Sequence, residues 1–278
     1  MNDQLERAPF LFGTNLKMHQ TAADTLAFVQ GLQSRLGSAP GVQLFVIPPF
    51  TSLAGVTETA HTTDLWIGAQ TMHFADEGAY TGEISARMLT ALGIDLVMLG
   101  HAERRTLFGE TDAALQKKTQ AALRASLRVL LCVGENADEK LFRVEAETLR
   151  RQLRIALYEF DPADLPRLWI AYEPVWSIGE SGRPAPVPDV CESVSVIRTT
   201  LDALFGDAAH VVPVLYGGSV NRNNCAAYAE LDLIDGLFVG RAAWTVEGFV
   251  EVYETARAAK LASTRGGASV SASQHSLD

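Results

Sequence analysis

The stretch "LWIAYE" (168–173) carries an apolar and aromatic run into an acid, and "PVW" (174–176) follows at once. The run is too short for a helix and too evenly apolar for a strand with one wet face. It reads as a strand buried on both faces, the kind that parallel sheets use. Pro174 stops it, and the chain then loosens through "SIGESG" (177–182). An acid aimed off the end of a buried strand, beneath a loop stiff at its start and loose at its tip, reads as a catalytic base under a lid.

The same kind of run recurs along the chain. It appears as "FLFGTN" (10–15), "LFVIPP" (44–49), "LWIGAQ" (65–70) and "LVMLGH" (96–101). It returns as "VLLCVGE" (129–135), "VVPVLYGG" (211–218) and "GLFVG" (236–240). Strand starts lie roughly 20–45 residues apart, which is room for a crossover helix and its loops. The segments between them have helical spacing. "TAADTLAFVQGLQSRLG" (21–37) opens on Thr21 as a cap and stops at Gly37. "TDAALQKKTQAALRASLR" (111–128) is rich in helix formers, "DEKLFRVEAETLRRQLRIALYEF" (138–160) reads as one longer helix, and "VCESVSVIRTTLDALFG" (190–206) as another.

Eight strand–helix units in succession predict an α/β fold closed as a (β/α)8 barrel, the TIM-barrel architecture of about 250 residues. The rival is an open doubly wound sheet, but "GTNLKMHQ" (13–20) after the first strand lacks the glycine-rich dinucleotide fingerprint. A single domain over 1–261 is expected. The Ser/Gly/Ala-rich tail, 262–278, is predicted to be disordered.

Bulk composition narrows the function. The chain has 278 residues and a net charge of −10, which argues against a nucleic-acid partner. No apolar run reaches the ~18–20 residues of a membrane span, and the polar start "MNDQLERAPF" has no signal-like apolar core. Cys132, Cys191 and Cys225 are odd in number and far apart, so neither a disulfide framework nor a zinc site is suggested. A reducing, cytoplasmic home is expected. An anionic substrate would have to be drawn in by a local field against the global one.

In such a barrel, chemistry gathers where the C-terminal ends of the strands meet the following loops. Asn15 and Lys17 follow the first strand, His101 ends the fourth and Glu173 the sixth; "YGGS" (216–219) ends the seventh and "VGR" (239–241) the eighth. A carboxylate flanked by Tyr172, Pro174, Val175 and Trp176 becomes a stronger base once water is shut out. A helix starting at "AERR" (102–105) would put its positive end behind His101 and disfavour imidazolium. Gly217 and Gly218 would let phosphate oxygens approach backbone N–H groups, with a helix expected from about Val220. No metal and no cofactor are expected.

The blocks "TNLKM", "GAYTGEIS", "LGHAERR", "FGETD", "LCVGE", "AYEPVWSIG", "LYGGSVN" and "GLFVG" occur in that order from about Phe10 to Arg257. By these blocks the chain resembles the triosephosphate isomerase family. The resemblance implies that Glu173 shuttles a proton between adjacent carbons of a phosphorylated α-hydroxycarbonyl, as that family's mechanism has it. It implies that His101 polarises the carbonyl, Lys17 offsets the developing negative charge, Asn15 holds oxygens and Glu103 contacts Lys17. Phosphate would lie against N–H groups near Gly179, Gly218, Ser219, Gly240 and Arg241. The substrate implied first is the glyceraldehyde 3-phosphate/dihydroxyacetone phosphate pair, with a four-carbon ketose phosphate second and a non-catalytic binding barrel as a remote third. "EGAYTGEIS" (77–85) resembles the loop by which family members grip a second subunit, so a homodimer is expected, with Thr81 reaching towards the partner's Asn15 and Lys17.

Departures from the family pattern fall around the site. Leu16 stands where a Trp is usual and Ala102 where a Ser can hold the base in its open position. "GES" (179–181) replaces the usual lid tip and sets Glu180 near an expected dianion. Gly240–Arg241 replaces a Gly-Gly pair, with Trp244 adding bulk nearby. Arg241 and Trp244 read either as outward-facing drift or as a changed substrate shape, and some relatives with a similar segment act on four-carbon ketose phosphates.

Overall fold

Buried alternation closes the sheet on itself. The computed structural model describes residues 9–37, 40–60, 64–179 and 182–273, with side chains through Ser263. Parallel strands β1 (Phe10–Asn15), β2 (Val42–Ile47), β3 (Leu65–Ala69), β4 (Leu96–Leu99), β5 (Arg128–Val133), β6 (Leu168–Tyr172), β7 (Val214–Tyr216) and β8 (Gly236–Val239) form one closed barrel in sequence order. The seam pairs Leu11 with Gly236 and Thr14 with Val239. The (β/α)8 barrel read from the sequence is the observed architecture.

Each strand uses both faces, which is why its residues are almost all apolar. Leu11, Phe45, Ile47, Met98, Leu130, Trp169 and Phe238 fill the interior of the barrel. Gly13 makes this packing possible: a Cβ there would lie 2.5 Å from the Phe45 ring. Emptying that position with Phe45→Ala would cost about 3–5 kcal/mol. At the floor, Trp66 and Trp169 stack with centroids 5.4 Å apart, and the Arg128 guanidinium lies 4.4 Å over Trp66. The alternate residues face the helices, as Phe12 does with Phe249 at 5.1 Å.

The helices are α1 (Ala22–Arg35), α2 (Leu53–Ala60), α3 (Ala86–Ala91), α4 (Ala102–Leu107), α5 (Asp112–Arg124), α6 (Ala137–Leu141), α7 (Glu145–Ala156), α8 (Val187–Phe205), α9 (Cys225–Ala229) and α10 (Val246–Ser273). Thr21 caps α1 and, with Asp24, closes a full capping box. Among the described residues no helix is long and apolar enough to cross a membrane.

The structure differs from the sequence reading in three places. The long helix expected over 138–160 is broken into α6 and α7, because Arg143 takes a left-handed φ of 56° between them. Asn136 starts the first piece with its own capping box. The helix expected from about Val220 does not start there. The Asn221 carboxamide oxygen accepts from the Asn223 N–H at 2.9 Å, and that of Asn224 from the Asn221 N–H at 2.7 Å. These local turns compete with helix, so α9 begins only at Cys225. Finally, α10 runs to Ser273, into the segment expected to be disordered from residue 262. Extending an existing helix fixes one residue at a time, without a new nucleus, although Gly266 and Gly267 oppose it. Residues 274–278 lie outside the described residues.

Candidate active site

Asn15 closes β1, and the chain turns sharply after it. Lys17 adopts a φ of +53°, a left-handed conformation that costs a non-glycine residue about 1–3 kcal/mol. Its partners show what holds it. The Lys17 N–H donates to Asn15 Oδ1 at 2.8 Å, and Gln70 Nε2 donates to the Lys17 carbonyl at 2.6 Å and to Asn15 Oδ1 at 3.2 Å. The ammonium Nζ then lies 2.7 Å from Glu103 Oε1, in a half-buried ion pair. Gln70 ends the third apolar run, so its place at a strand's end was the signal available for it.

His101 is the N-cap of α4 and is buried. Its Nδ1 accepts the Glu103 backbone N–H at 3.2 Å, which leaves the proton of a neutral imidazole on Nε2. That Nε2 lies 3.7 Å from Glu173 Oε1, outside hydrogen-bond range, so the two groups do not bond to each other. The peptide before His101 is fixed from behind: the Gly100 N–H donates to Glu110 Oε2 at 3.1 Å, and Arg105 Nε donates to the Gly100 carbonyl at 2.8 Å.

Glu173 follows β6 and is 3% exposed. Its Oε2 accepts the Ala102 N–H at 3.3 Å, at the positive end of α4. The side chain of Ala102 has no hydroxyl to hold the Glu173 carboxylate, and the backbone amide does so instead. Glu173 can sit here because Gly134 lies alongside: a Cβ on Gly134 would be 1.9 Å from the Glu173 carbonyl oxygen. Below it, burial first and the Glu173 charge second push the Cys132 thiol well above its ordinary range, so it stays protonated.

The loop after Glu173 is anchored at its root by Glu135. Trp176 Nε1 donates to Glu135 Oε1 at 2.7 Å, the Tyr172 hydroxyl reaches both carboxylate oxygens at 3.2 Å, and the Val175 N–H donates to the Glu135 carbonyl at 2.9 Å. Burial raises the carboxyl of Glu135 above its ordinary value despite these donors. Further along, Ser177 Oγ accepts the Ser219 N–H at 3.0 Å. Gly179 carries a φ of +97°. Glu180 and Ser181 lie outside the described residues.

These groups open onto one cavity of about 350 Å³. Asn15, Lys17, His101, Glu173, Gly179, Gly218, Ser219, Gly240 and Arg241 all line it, so the structure gathers nine of the residues singled out from sequence. Glu103 stands outside the lining and is paired with Lys17. The wall also includes Ser177 and Trp244. The Trp244 indole Nε1 donates to the Asn15 carbonyl at 2.9 Å. Glu135, Ser177 and Gln70 carried no separate role in the sequence reading; their partners lie 41, 42 and 53–55 residues away, and no local pattern records such pairings. Among the described residues no group of three or more His, Cys, Asp or Glu is placed to hold a metal ion. The arrangement offers a buried carboxylate, a neutral N–H donor across a gap, an ammonium and a rim of backbone amides. Together they can move a proton beside a carbonyl while neutralising the charge that forms.

The family model described as Triosephosphate isomerase matches residues 10–256. An L-erythrulose-1-phosphate isomerase of Brucella abortus (strain 2308) is 42% identical over 249 residues, covering 87% of this chain and 94% of its own. One of Mesorhizobium japonicum is 42% identical over 258 residues, covering 91% and 99%. A triosephosphate isomerase of Acetivibrio thermocellus is 39% identical over 239 residues, covering 86% and 94%. Among solved structures, a triosephosphate isomerase from Bartonella henselae superposes with a TM-score of 0.81 at 32% identity, covering 90% of this chain and 99% of that one.

Proposed function

The chain belongs to the triosephosphate isomerase family, and from that premise we propose that it isomerises a four-carbon ketose phosphate of the erythrulose 1-phosphate type. Glu173 takes a proton from the carbon beside the carbonyl, while His101 hydrogen-bonds from Nε2 to the carbonyl oxygen. His101 later passes its proton to that oxygen and recovers one from the adjacent hydroxyl, so the imidazole ends as it began. An enediolate forms. Lys17 offsets its charge, the Asn15 carboxamide holds an oxygen, and Glu173 returns the proton to the neighbouring carbon. Glu103 keeps the Lys17 ammonium aimed. The phosphate sits against the N–H groups of Gly179, Ser219, Gly240 and Arg241, close to Gly218.

The observation that carries the reading is the 3.7 Å gap between His101 Nε2 and Glu173 Oε1, where the neutral tautomer and the base face the same space. The four-carbon substrate moves ahead of the three-carbon one for two reasons. Relatives such as those of Brucella abortus and Mesorhizobium japonicum bear an erythrulose-phosphate name. Arg241 and Trp244 both line the cavity wall, where they alter its width and charge. The triose pair stays as the second reading, favoured by the Acetivibrio thermocellus relative. Comparison of kcat/KM on erythrulose 1-phosphate and dihydroxyacetone phosphate, in wild type and Arg241→Gly, tests this. A four-carbon preference that Arg241→Gly relaxes supports the reading; a strong triose preference in both proteins refutes it.

The homodimer belongs to the same proposal. Thr81 and its neighbours are exposed, and Met18, next to Lys17, is 95% exposed. A loop from a second copy seated there would cover that methionine and close the site around Lys17.

A further inference from the structure

We propose that Trp244 is a positioning residue that holds the catalytic loop after β1 in its strained shape, an inference that rests on the isomerase reading above. The loop bears two left-handed residues that are not glycine, Lys17 at φ +53° and Gln20 at φ +70°. Such backbone persists only where its surroundings over-determine it. Near Asn15, the Gln70 amide and the Asn15 carboxamide supply that grip. Near Gln20, Trp244 supplies it, through three separate parts of one residue. The indole N–H donates to the Asn15 carbonyl at 2.9 Å, and the ring packs on His19 with centroids 4.2 Å apart. The Trp244 carbonyl accepts Gln20 Nε2 at 2.9 Å.

Trp244 stands just after the short turn Arg241–Ala243, which follows β8 and lines the end of the cavity assigned to phosphate. One side chain therefore ties that end to Asn15 and Lys17, where charge develops. Group placement matters steeply in proton transfer, so a loosened loop would lower turnover more than binding.

Phenylalanine keeps an aromatic face and the backbone carbonyl, and removes the indole N–H together with the pyrrole part of the ring. In the full-length Trp244→Phe protein, kcat should fall about tenfold, with KM and the Kd of inorganic phosphate held within about twofold. Amide exchange of Lys17 and His19 should quicken about tenfold while exchange in the barrel strands is unchanged. Wild-type kcat together with wild-type exchange would overturn the proposal. A change in KM alone would make Trp244 a mere wall of the cavity, and faster exchange throughout the barrel would make it a structural filler; either also overturns it. If the wild type turns over neither sugar phosphate, the isomerase reading fails and the exchange rates alone decide the positioning role. Should Trp244→Phe fail to fold, Gln20→Ala removes the clamp from the loop side with the same expected exchange, and unchanged rates would again overturn the proposal.

Discussion

Replacing Glu110 by glutamine tests whether the support behind His101 is electrostatic. Glu110 is 8% exposed and Lys118 7%, so this is a buried ion pair. Lys118 Nζ meets Glu110 Oε1, which also lies 3.4 Å from Arg104 Nε and 3.5 Å from the Thr71 hydroxyl. Burial pushes the Glu110 carboxyl up. The Lys118 hydrogen bond and charge, with Arg104 adding to them, outweigh it and hold the carboxyl below its ordinary value of 4.5. Glutamine keeps the shape and can still accept the Gly100 N–H, but it leaves the Lys118 ammonium without a counter-charge. Breaking one side of a buried pair costs about 3–5 kcal/mol, and for a chain of this length that lowers Tm by roughly 10 °C.

The pH dependence follows from the sign of the shift. A carboxyl held lower in the folded protein binds its proton less tightly there than in the unfolded chain. Its stabilisation is therefore complete above about 4.5 and is lost as pH falls through the depressed folded value. Calorimetric melts of wild type and Glu110→Gln from pH 7 downward should show a gap that is widest at neutral pH and closes as pH falls through the depressed folded value. Glu110→Gln/Lys118→Met should recover most of the loss, because neither charge is then buried alone. The reasoning fails if the single variant melts within about 2 °C of wild type at pH 7. It fails equally if the double variant is no better than the single.

Glu173→Asp draws the carboxylate back by one methylene, and kcat should drop at least about a hundredfold with affinity for inorganic phosphate nearly unchanged; wild-type turnover would remove Glu173 as the base. Ser177→Ala frees the Ser219 N–H from an acceptor that a phosphate must displace, so the Kd for inorganic phosphate should fall roughly fivefold; an unchanged Kd by calorimetry would show that phosphate does not use that amide. Sedimentation of the active protein should report two chains per particle, and a fully active single chain would refute the partner role given to Thr81.

The barrel was legible because its signal is repeated and local. Most strands are buried on both faces and written as nearly unbroken apolar runs, as in "LVML" of β4 and "GLFV" of β8, while β2 keeps Gln43 in a half-exposed start. The residues at strand ends were legible for the same reason: once "LWIAYE" is a strand, Glu173 can only project from its end. What stayed hidden was the support at long range. Glu135 receives Trp176 from 41 residues away, and Asn15 receives Trp244 from 229 away. Helix boundaries were hidden by a different physics. The break at Arg143 and the asparagine turns before Cys225 are choices between helix and local alternatives that differ by little free energy, and side-chain hydrogen bonds tip them.

The loop after β6 was expected to be stiff at its root through Pro174 and Trp176, and the structure adds a partner for Trp176 in Glu135. A raised carboxyl in a buried place, fed by an indole and a phenol, is a costly way to hold a hinge, since an apolar group would pack there without desolvation. What an apolar group lacks is direction. The Trp176 N–H and the Tyr172 hydroxyl converge on one carboxylate, which fixes the start of the loop relative to β5 and β6 together. Glu173 lies between those two anchors, with its N–H on the Val133 carbonyl at 2.8 Å. The same polar cluster that orients the loop's first turn therefore also fixes the backbone of Glu173. Stability given up at Glu135 is spent on where Glu173 points.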